Sequence, residues 1–201
     1  MVIKTVLFDL GNVIVPFDFK LAYSRLQPLC SFPAAEIPQR LRGSNLVMRF
    51  ETGQVSAEEF VRDFSGLLNV RISYDDFCDI WTSVFLPEPL IAEALLARLA
   101  ERRRLMILSN TNPIHFEMIR NHYPLMRHFH HYVLSYEVGA IKPSPEIFRA
   151  AIARAECAAE ECFFTDDLAP NIEAARKHGM DAVQFQSEAQ LKLELKARAL
   201  I

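Results

Sequence analysis

The stretch VIKTVLFDLGNV, Val2 to Val13, crowds apolar and β-branched residues together and then meets an aspartate, with glycine and asparagine close behind. An apolar run without polar alternation predicts a strand buried on both faces over Val2–Phe8, ended by Gly11-Asn12. Strands of that kind belong to parallel sheets covered by helices on both sides. Asp9 then leaves the carboxyl end of a central strand, which is where open α/β sheets bind their ligands.

Beyond this strand the pattern changes twice. Val13–Phe19 contains Pro16 and reads as a flap or edge segment, because proline cannot donate to a sheet ladder. From there to about Leu86 apolar residues recur at helical spacing, in Leu21–Leu29, Glu58–Leu68 and Tyr74–Phe85, with no convincing buried strand between them. This middle section reads as a helical insertion. After Pro87 strands and helices alternate: helix Glu88–Arg103, strand Leu105–Leu108, helix Pro113–His122, strand Tyr132–Leu134, helix Pro145–Glu156, strand Cys162–Phe164, helix Pro170–His178 capped by Gly179, strand Asp181–Phe185, and a last helix from about Glu188. Such alternation predicts an α/β fold with a parallel sheet between helical layers.

The composition bounds the function. The chain has 201 residues, half of them apolar and under a quarter charged, enough for a real core plus an insertion. A net charge of -3 offers no general attraction to nucleic acid or to an anionic membrane. No apolar stretch reaches the roughly 18 to 20 residues that span a bilayer. Lys4 and Asp9 interrupt the N-terminal run and no small-residue cleavage site follows, which argues against a signal peptide. Cys30, Cys78, Cys157 and Cys162 lack zinc-type spacing and read as buried thiols of a reducing compartment. A soluble cytoplasmic protein is expected; the sequence alone assigns no oligomeric state. Arg102-Arg103-Arg104 reads as a solvated helix C-terminus, and His128, His130 and His131 match no zinc helix motif.

The residues leaving the strands are Asp9, Ser109-Asn110, Lys142 some way after the third strand, and Asp166-Asp167. Each has a bland explanation. Asp at a strand end serves turns, Ser-Asn-Thr-Asn-Pro makes a good helix N-cap, and Asp-Asp could cap the next helix. Four together would place carboxylates, a hydroxyl and an ammonium in one crevice.

With these residues in hand, FDLGNV, LSNTN, GAIKPSPEIF and FFTDDLAPNIEAA together resemble the four motifs of the haloacid dehalogenase (HAD) superfamily. The wording is similar to the sugar-phosphatase-like branch, which includes an α-glucose-1-phosphate phosphatase, and to the phosphatase domain attached to some epoxide hydrolases. The resemblance implies a Rossmann-like three-layer core over residues 1–15 and 86–201 and a small helical cap domain, of the first cap class, over 16–85. It implies a Mg²⁺-dependent phosphatase acting on a small phosphorylated metabolite, with a sugar phosphate as the leading class. Asp9 would be the nucleophile that forms an aspartyl phosphate. Mg²⁺ would be held by Asp9, the Gly11 carbonyl and Asp167, with Asp166 and Asn171 behind these ligands. Ser109 and the Asn110 N–H would hold phosphoryl oxygens, Lys142 would stabilise charge, and Asn12 would orient the loop or reach the substrate.

Three carboxylates around one lysine leave a crevice hostile to anions unless a divalent cation joins them. A 2-haloacid dehalogenase, which uses the same aspartate on carbon without metal, should not keep the Asp-Asp pair. The departure from the family is Gly11, where phosphatases of the superfamily place a second aspartate as proton donor. A good leaving group, another acid such as Asp18, or a catalytically weak module that binds a phosphorylated ligand or partner would each account for the glycine.

Overall fold

The structure, a computed structural model, describes residues 2–201; residue 1, the first of the expected core segment, lies outside them. Five parallel strands form one sheet: β1 (Thr5–Phe8), β2 (Arg104–Ser109), β3 (His131–Leu134), β4 (Cys162–Asp166) and β5 (Asp181–Gln184), in the order β3-β2-β1-β4-β5. The register decides what meets at the sheet's end. Phe8 of β1 lies opposite Ile107 of β2 on one side and Thr165 of β4 on the other. The next residues of β1 and β4, Asp9 and Asp166, therefore emerge side by side.

Alternate residues of each strand face opposite layers. Phe8, Ile107, Phe163 and Val183 pack with α6 (Glu93–Ala100), α7 (Pro113–His122) and α11 (Glu188–Ala197). Leu7, Met106, Leu108 and Phe164 pack on the other face with α9 (Pro145–Ala155) and α10 (Ala169–Lys177). The result is the three-layer arrangement expected. Between β1 and α6 lie α1 (Phe19–Leu26), α2 (Ile37–Ser44), α3 (Leu46–Glu51), α4 (Ala57–Leu68) and α5 (Tyr74–Thr82). They share a hydrophobic cluster of their own, dominated by Phe50, Phe60, Phe64, Phe77 and Trp81. A single turn, α8 (Ser135–Val138), follows β3.

Several elements differ from expectation. Helix α6 starts at Glu93, not Glu88, because Pro87 and Pro89 hold the connection out of helical geometry. Arg104 is the first residue of β2 and pairs with Glu156 at 3.0 Å, so only Arg102 and Arg103 follow the helix. The segment after Gly11 forms only isolated bridges, Gly11 to Val15 and Phe17 to Phe85. The four thiols are unbridged, but only Cys162 is fully buried. No helix among the described residues is long and apolar enough to cross a membrane.

Candidate active site

Lys142 lies at the centre of the crevice, almost wholly buried. Its Nζ is 2.8 Å from Asp9 Oδ1 and 2.6 Å from Asp166 Oδ2. Burial works against the ammonium, but the two carboxylates outweigh it and hold the Lys142 pKa above its ordinary value. Asp9 is pushed the opposite way to a typical paired acid: burial raises it, Lys142 pulls it down, and the Asp166 charge raises it again. Asp9 Oδ1 also accepts from the Leu10 N–H at 2.7 Å, while Oδ2 has no hydrogen-bond donor among the described residues.

The two aspartates after β4 have different surroundings. Asp166 is fully buried and saturated: Asn171 Nδ2 donates to both of its oxygens at 2.9 and 3.0 Å, and the Leu168 N–H donates to Oδ1 at 2.8 Å. Asp167 is half-buried and takes up none of these donors. Burial and then the Asp166 charge hold it above the usual carboxylate range, with Lys142 and Asn12 pulling downwards. Asp9, Asp166 and Asp167 each offer an oxygen within 4.8 Å of the others, the one group able to hold a metal ion among the described residues. Three hard oxygen donors suit Mg²⁺.

Ser109 ends β2, and its hydroxyl makes only a long contact, 3.4 Å, to the Asn110 carbonyl. The Asn110 side chain is spent on the lysine segment: its Oδ1 accepts from Lys142 N–H at 2.7 Å and its Nδ2 donates to Lys142 O at 3.0 Å. This double hydrogen bond fixes the backbone that carries the ammonium. Buried Ser135, at the start of α8, holds the same loop by bonding Thr111 N–H and Thr111 O.

Asn12 takes the left-handed conformation, φ 54°, which asparagine tolerates better than most residues. Its Oδ1 makes a long bond, 3.4 Å, with the Phe17 N–H, and its amide lies against Asp167. The structure thus sets Asn12 to shaping the loop beyond Asp9. Asp18 caps α1, accepting from Lys20 N–H at 2.9 Å, and points to solvent. The space beside Gly11 is already filled: a Cβ there would meet Phe17 Cε1 at 2.6 Å. Phe17 is itself wedged edge-on between Phe19 and Phe85.

Over this crevice sits a small cavity of about 100 Å³, with Gly11, Ser109, Asn110, Phe17 and Glu51 among its walls. A second cavity of about 400 Å³ inside the helical unit shares Phe19 and Glu51 with it and adds Tyr23, Arg42 and Trp81. No motif marks Phe17; Glu51, with Thr52 and Gly53, is a stretch that the sequence lets line the entrance, and the cavity wall includes it. His115 of α7 joins the two units. One ring nitrogen is 3.1 Å from Asn112 Nδ2 and the other 3.0 Å from the Trp81 carbonyl. Burial pushes this imidazole down to about 4, although the Trp81 carbonyl favours its protonated form.

The sequence matches the haloacid dehalogenase-like hydrolase family over residues 3–179. The chain belongs to this family. D-ribitol-5-phosphate phosphatase from Bacteroides thetaiotaomicron is 27% identical over 199 residues, covering 96% of this chain and 97% of that protein. The crystal structure of a HAD family enzyme from the same organism, in complex with magnesium and inorganic phosphate, superposes with a TM-score of 0.83 at 27% identity, covering 92% and 95% of the two chains. L-2-haloacid dehalogenase from Xanthobacter autotrophicus shares the fold, with a TM-score of 0.64 at 18% identity over 99% of this chain and 84% of that one. The HAD fold is therefore common to both chemistries, and the residues in the crevice must decide between them.

Proposed function

We propose that this HAD hydrolase is a magnesium-dependent phosphatase of a small phosphorylated metabolite, with a sugar or polyol phosphate as the substrate class. The observation that carries this reading is the set of three carboxylates around the single buried ammonium of Lys142. Fully ionised, three carboxylates and one ammonium carry a net charge of -2, which repels a phosphate; one divalent cation balances it. A dehalogenase attacking carbon has no use for Asp167, whose carboxylate meets only the Asn12 side chain and its own backbone N–H. The likeness to a ribitol-phosphate phosphatase over nearly the whole chain supports the substrate class.

Asp9 attacks phosphorus through Oδ2, the oxygen that no protein donor occupies. The Ser109 hydroxyl and the Asn110 backbone N–H hold phosphoryl oxygens, and Lys142 offsets charge on nucleophile and phosphoryl group. Asp9, the Gly11 carbonyl and Asp167 would hold Mg²⁺, which when bound supplies positive charge against the phosphoryl oxygens. Asp166, anchored by Asn171 and the Leu168 N–H, fixes Lys142 in place. The helical unit closes over the crevice and excludes bulk water. A cytoplasmic site of action, with all four thiols unbridged, belongs to the same proposal. Oligomeric state plays no part in it.

A panel of alkyl, glycosyl and aryl phosphates, assayed with and without Mg²⁺ on the wild type and on Asp9→Asn, tests the reading. Phosphate release that needs both the metal and Asp9 is expected. Absence of turnover on every ester, the aryl phosphates included, would replace it with a binding role.

A further inference from the structure

We propose that Glu51, from the helical unit, is the proton donor and acceptor that this site lacks at Gly11. The proposal rests on the phosphatase reading above and assigns the missing step to a residue no motif marks.

Placement comes first. Glu51 is the last residue of α3 and shares the inner cavity with Gly11, Ser109 and Asn110, the residues that border Asp9 and the phosphate loop. Only two ionisable side chains, Glu51 and His115, line that cavity among the described residues. His115 is unsuited to proton transfer. A ring nitrogen facing the Asn112 amide donor must accept, and the other faces a carbonyl and must donate, so the ring is locked neutral with both nitrogens occupied. Asp18, the other acid near the flap, is an exposed helix cap. Glu51 has no hydrogen-bond or ion-pair partner among the described residues, although most of its surface is covered.

Attachment to the core keeps it there. Two residues on, Gly53 takes φ 68°, and a Cβ at this position would come within 2.2 Å of the Tyr136 carbonyl oxygen. The turn after α3 thus sits directly on the backbone following β3, with glycine required for both the conformation and the approach. Glu51 is carried by a segment seated on the core.

Protonation fits the task. Burial pushes the Glu51 carboxyl up to about 7, where one residue can give and take a proton near neutrality. The charged and titratable groups that share its cavities are His115 in the inner one and Tyr23 and Arg42 in the outer one. Glu51 lines both cavities, so a phosphoryl group held by Ser109 and Asn110 and a leaving group in the outer chamber would lie to either side of it. The outer chamber, with Arg42 and Asn45, offers polar groups to a hydroxylated leaving group.

The chemistry closes. As an Asp9 oxygen bonds to phosphorus and the ester P–O bond breaks, the Glu51 proton passes to the departing oxygen and the alcohol is released. In the second half the Glu51 carboxylate takes a proton from water as the water oxygen bonds to phosphorus. The aspartyl P–O bond breaks, inorganic phosphate leaves, and Glu51 is protonated again.

The test compares wild type, Glu51→Gln and Glu51→Asp at saturating Mg²⁺, on an alkyl phosphate and on p-nitrophenyl phosphate, over pH 5 to 9. General acid–base catalysis is worth about 10²- to 10⁴-fold. Glu51→Gln should therefore cut kcat on the alkyl ester at least 100-fold. On the aryl ester it should release a stoichiometric burst of nitrophenol and then stall, because the phosphoenzyme lacks its base. The pH limb near 7 should vanish with Gln and return, shifted, with Asp. Unfolding midpoints matching the wild type separate these effects from misfolding. Equal losses on both esters with no burst, or an unchanged pH profile, would overturn the role of Glu51 while leaving the phosphatase reading intact. A wild type inactive on both esters would instead remove that reading itself.

Discussion

The two walls of the active-site cavity are built on opposite plans. On the sheet side every charged group is partnered: Lys142 binds Asp9 and Asp166, Asp166 is saturated by Asn171 and Leu168, and Asn110 clamps the Lys142 backbone. On the helical side the wall is aromatic, Phe17, Phe19 and Phe85, and its one carboxylate, Glu51, is unpartnered. The contrast separates two jobs. Parallel strands in register deliver fixed charge to one point, as an attack on phosphorus requires. A mobile-capable lid can instead bring shape and a titrating group that acts only when closed.

The largest effect expected on the sheet side is from Asp9→Asn, which should lower turnover roughly 10⁴-fold or more by removing the nucleophile. Phosphate release over hours measures it, and residual rates within tenfold of wild type would break the division of labour. Lys142→Met should destabilise the fold by about 3 to 5 kcal/mol, because it strands two buried carboxylates. Denaturant unfolding reads the loss, and adding Asp166→Asn should recover part of it. If the double variant is no more stable than the single, the ammonium is not balancing Asp166.

At the seam between the walls, pH gives the next effect. His115 is neutral when folded and has a pKa of about 4, below its ordinary 6.5. As pH falls from 6.5 the unfolded chain gains a proton that the folded one refuses, so stability drops, by about 3 kcal/mol once pH 4 is reached. Glu51 has the opposite sign. Its raised pKa favours the folded state at low pH, and that contribution fades as pH rises from about 4.5 to about 7. Stability curves of His115→Asn and Glu51→Gln, each subtracted from wild type, should slope in opposite directions. The smallest effect sits at the crowded glycine. Gly11→Asp should cost about 1 to 3 kcal/mol by overpacking against Phe17, and Phe17→Ala should relieve it.

How much of this was legible in the sequence follows the same division. The strands and their terminal residues could be read because buried parallel strands are continuous apolar runs, and β1, β2 and β4 run straight into polar residues, Asp9, Ser109 and Asp166, that an apolar core alone would not call for. The order of four such endings placed Asp9, Ser109, Lys142 and Asp167 in one crevice. Helices α2 and α3 could not be read: Pro38, Gly43 and Asn45 interrupt their periodicity, and Asn45, at φ 54°, turns one into the other. Glu51-Thr52-Gly53, like Arg42-Gly43, can be read from the sequence as lining the entrance, but not told apart from any polar helix face, since the neighbours of Glu51 in space include residues at the ends of β1 and β2 and on α7. Gly11 could be recognised as a departure but not explained, because what occupies the missing side chain's room is a ring six residues away. Long-range packing, unlike strand-end chemistry, leaves no local pattern.

The hydrogen bond from His115 to the Trp81 carbonyl has an optical consequence. Trp81 is the only tryptophan in the chain, and its ring stacks on His115 with centroids 5.3 Å apart and planes 17° from parallel. The chain's sole indole chromophore therefore lies where the helical unit touches the sheet layer, stacked on a histidine three residues beyond Asn112. Its emission is a built-in gauge of how the two units sit against each other, readable without any label while substrate enters and phosphate leaves.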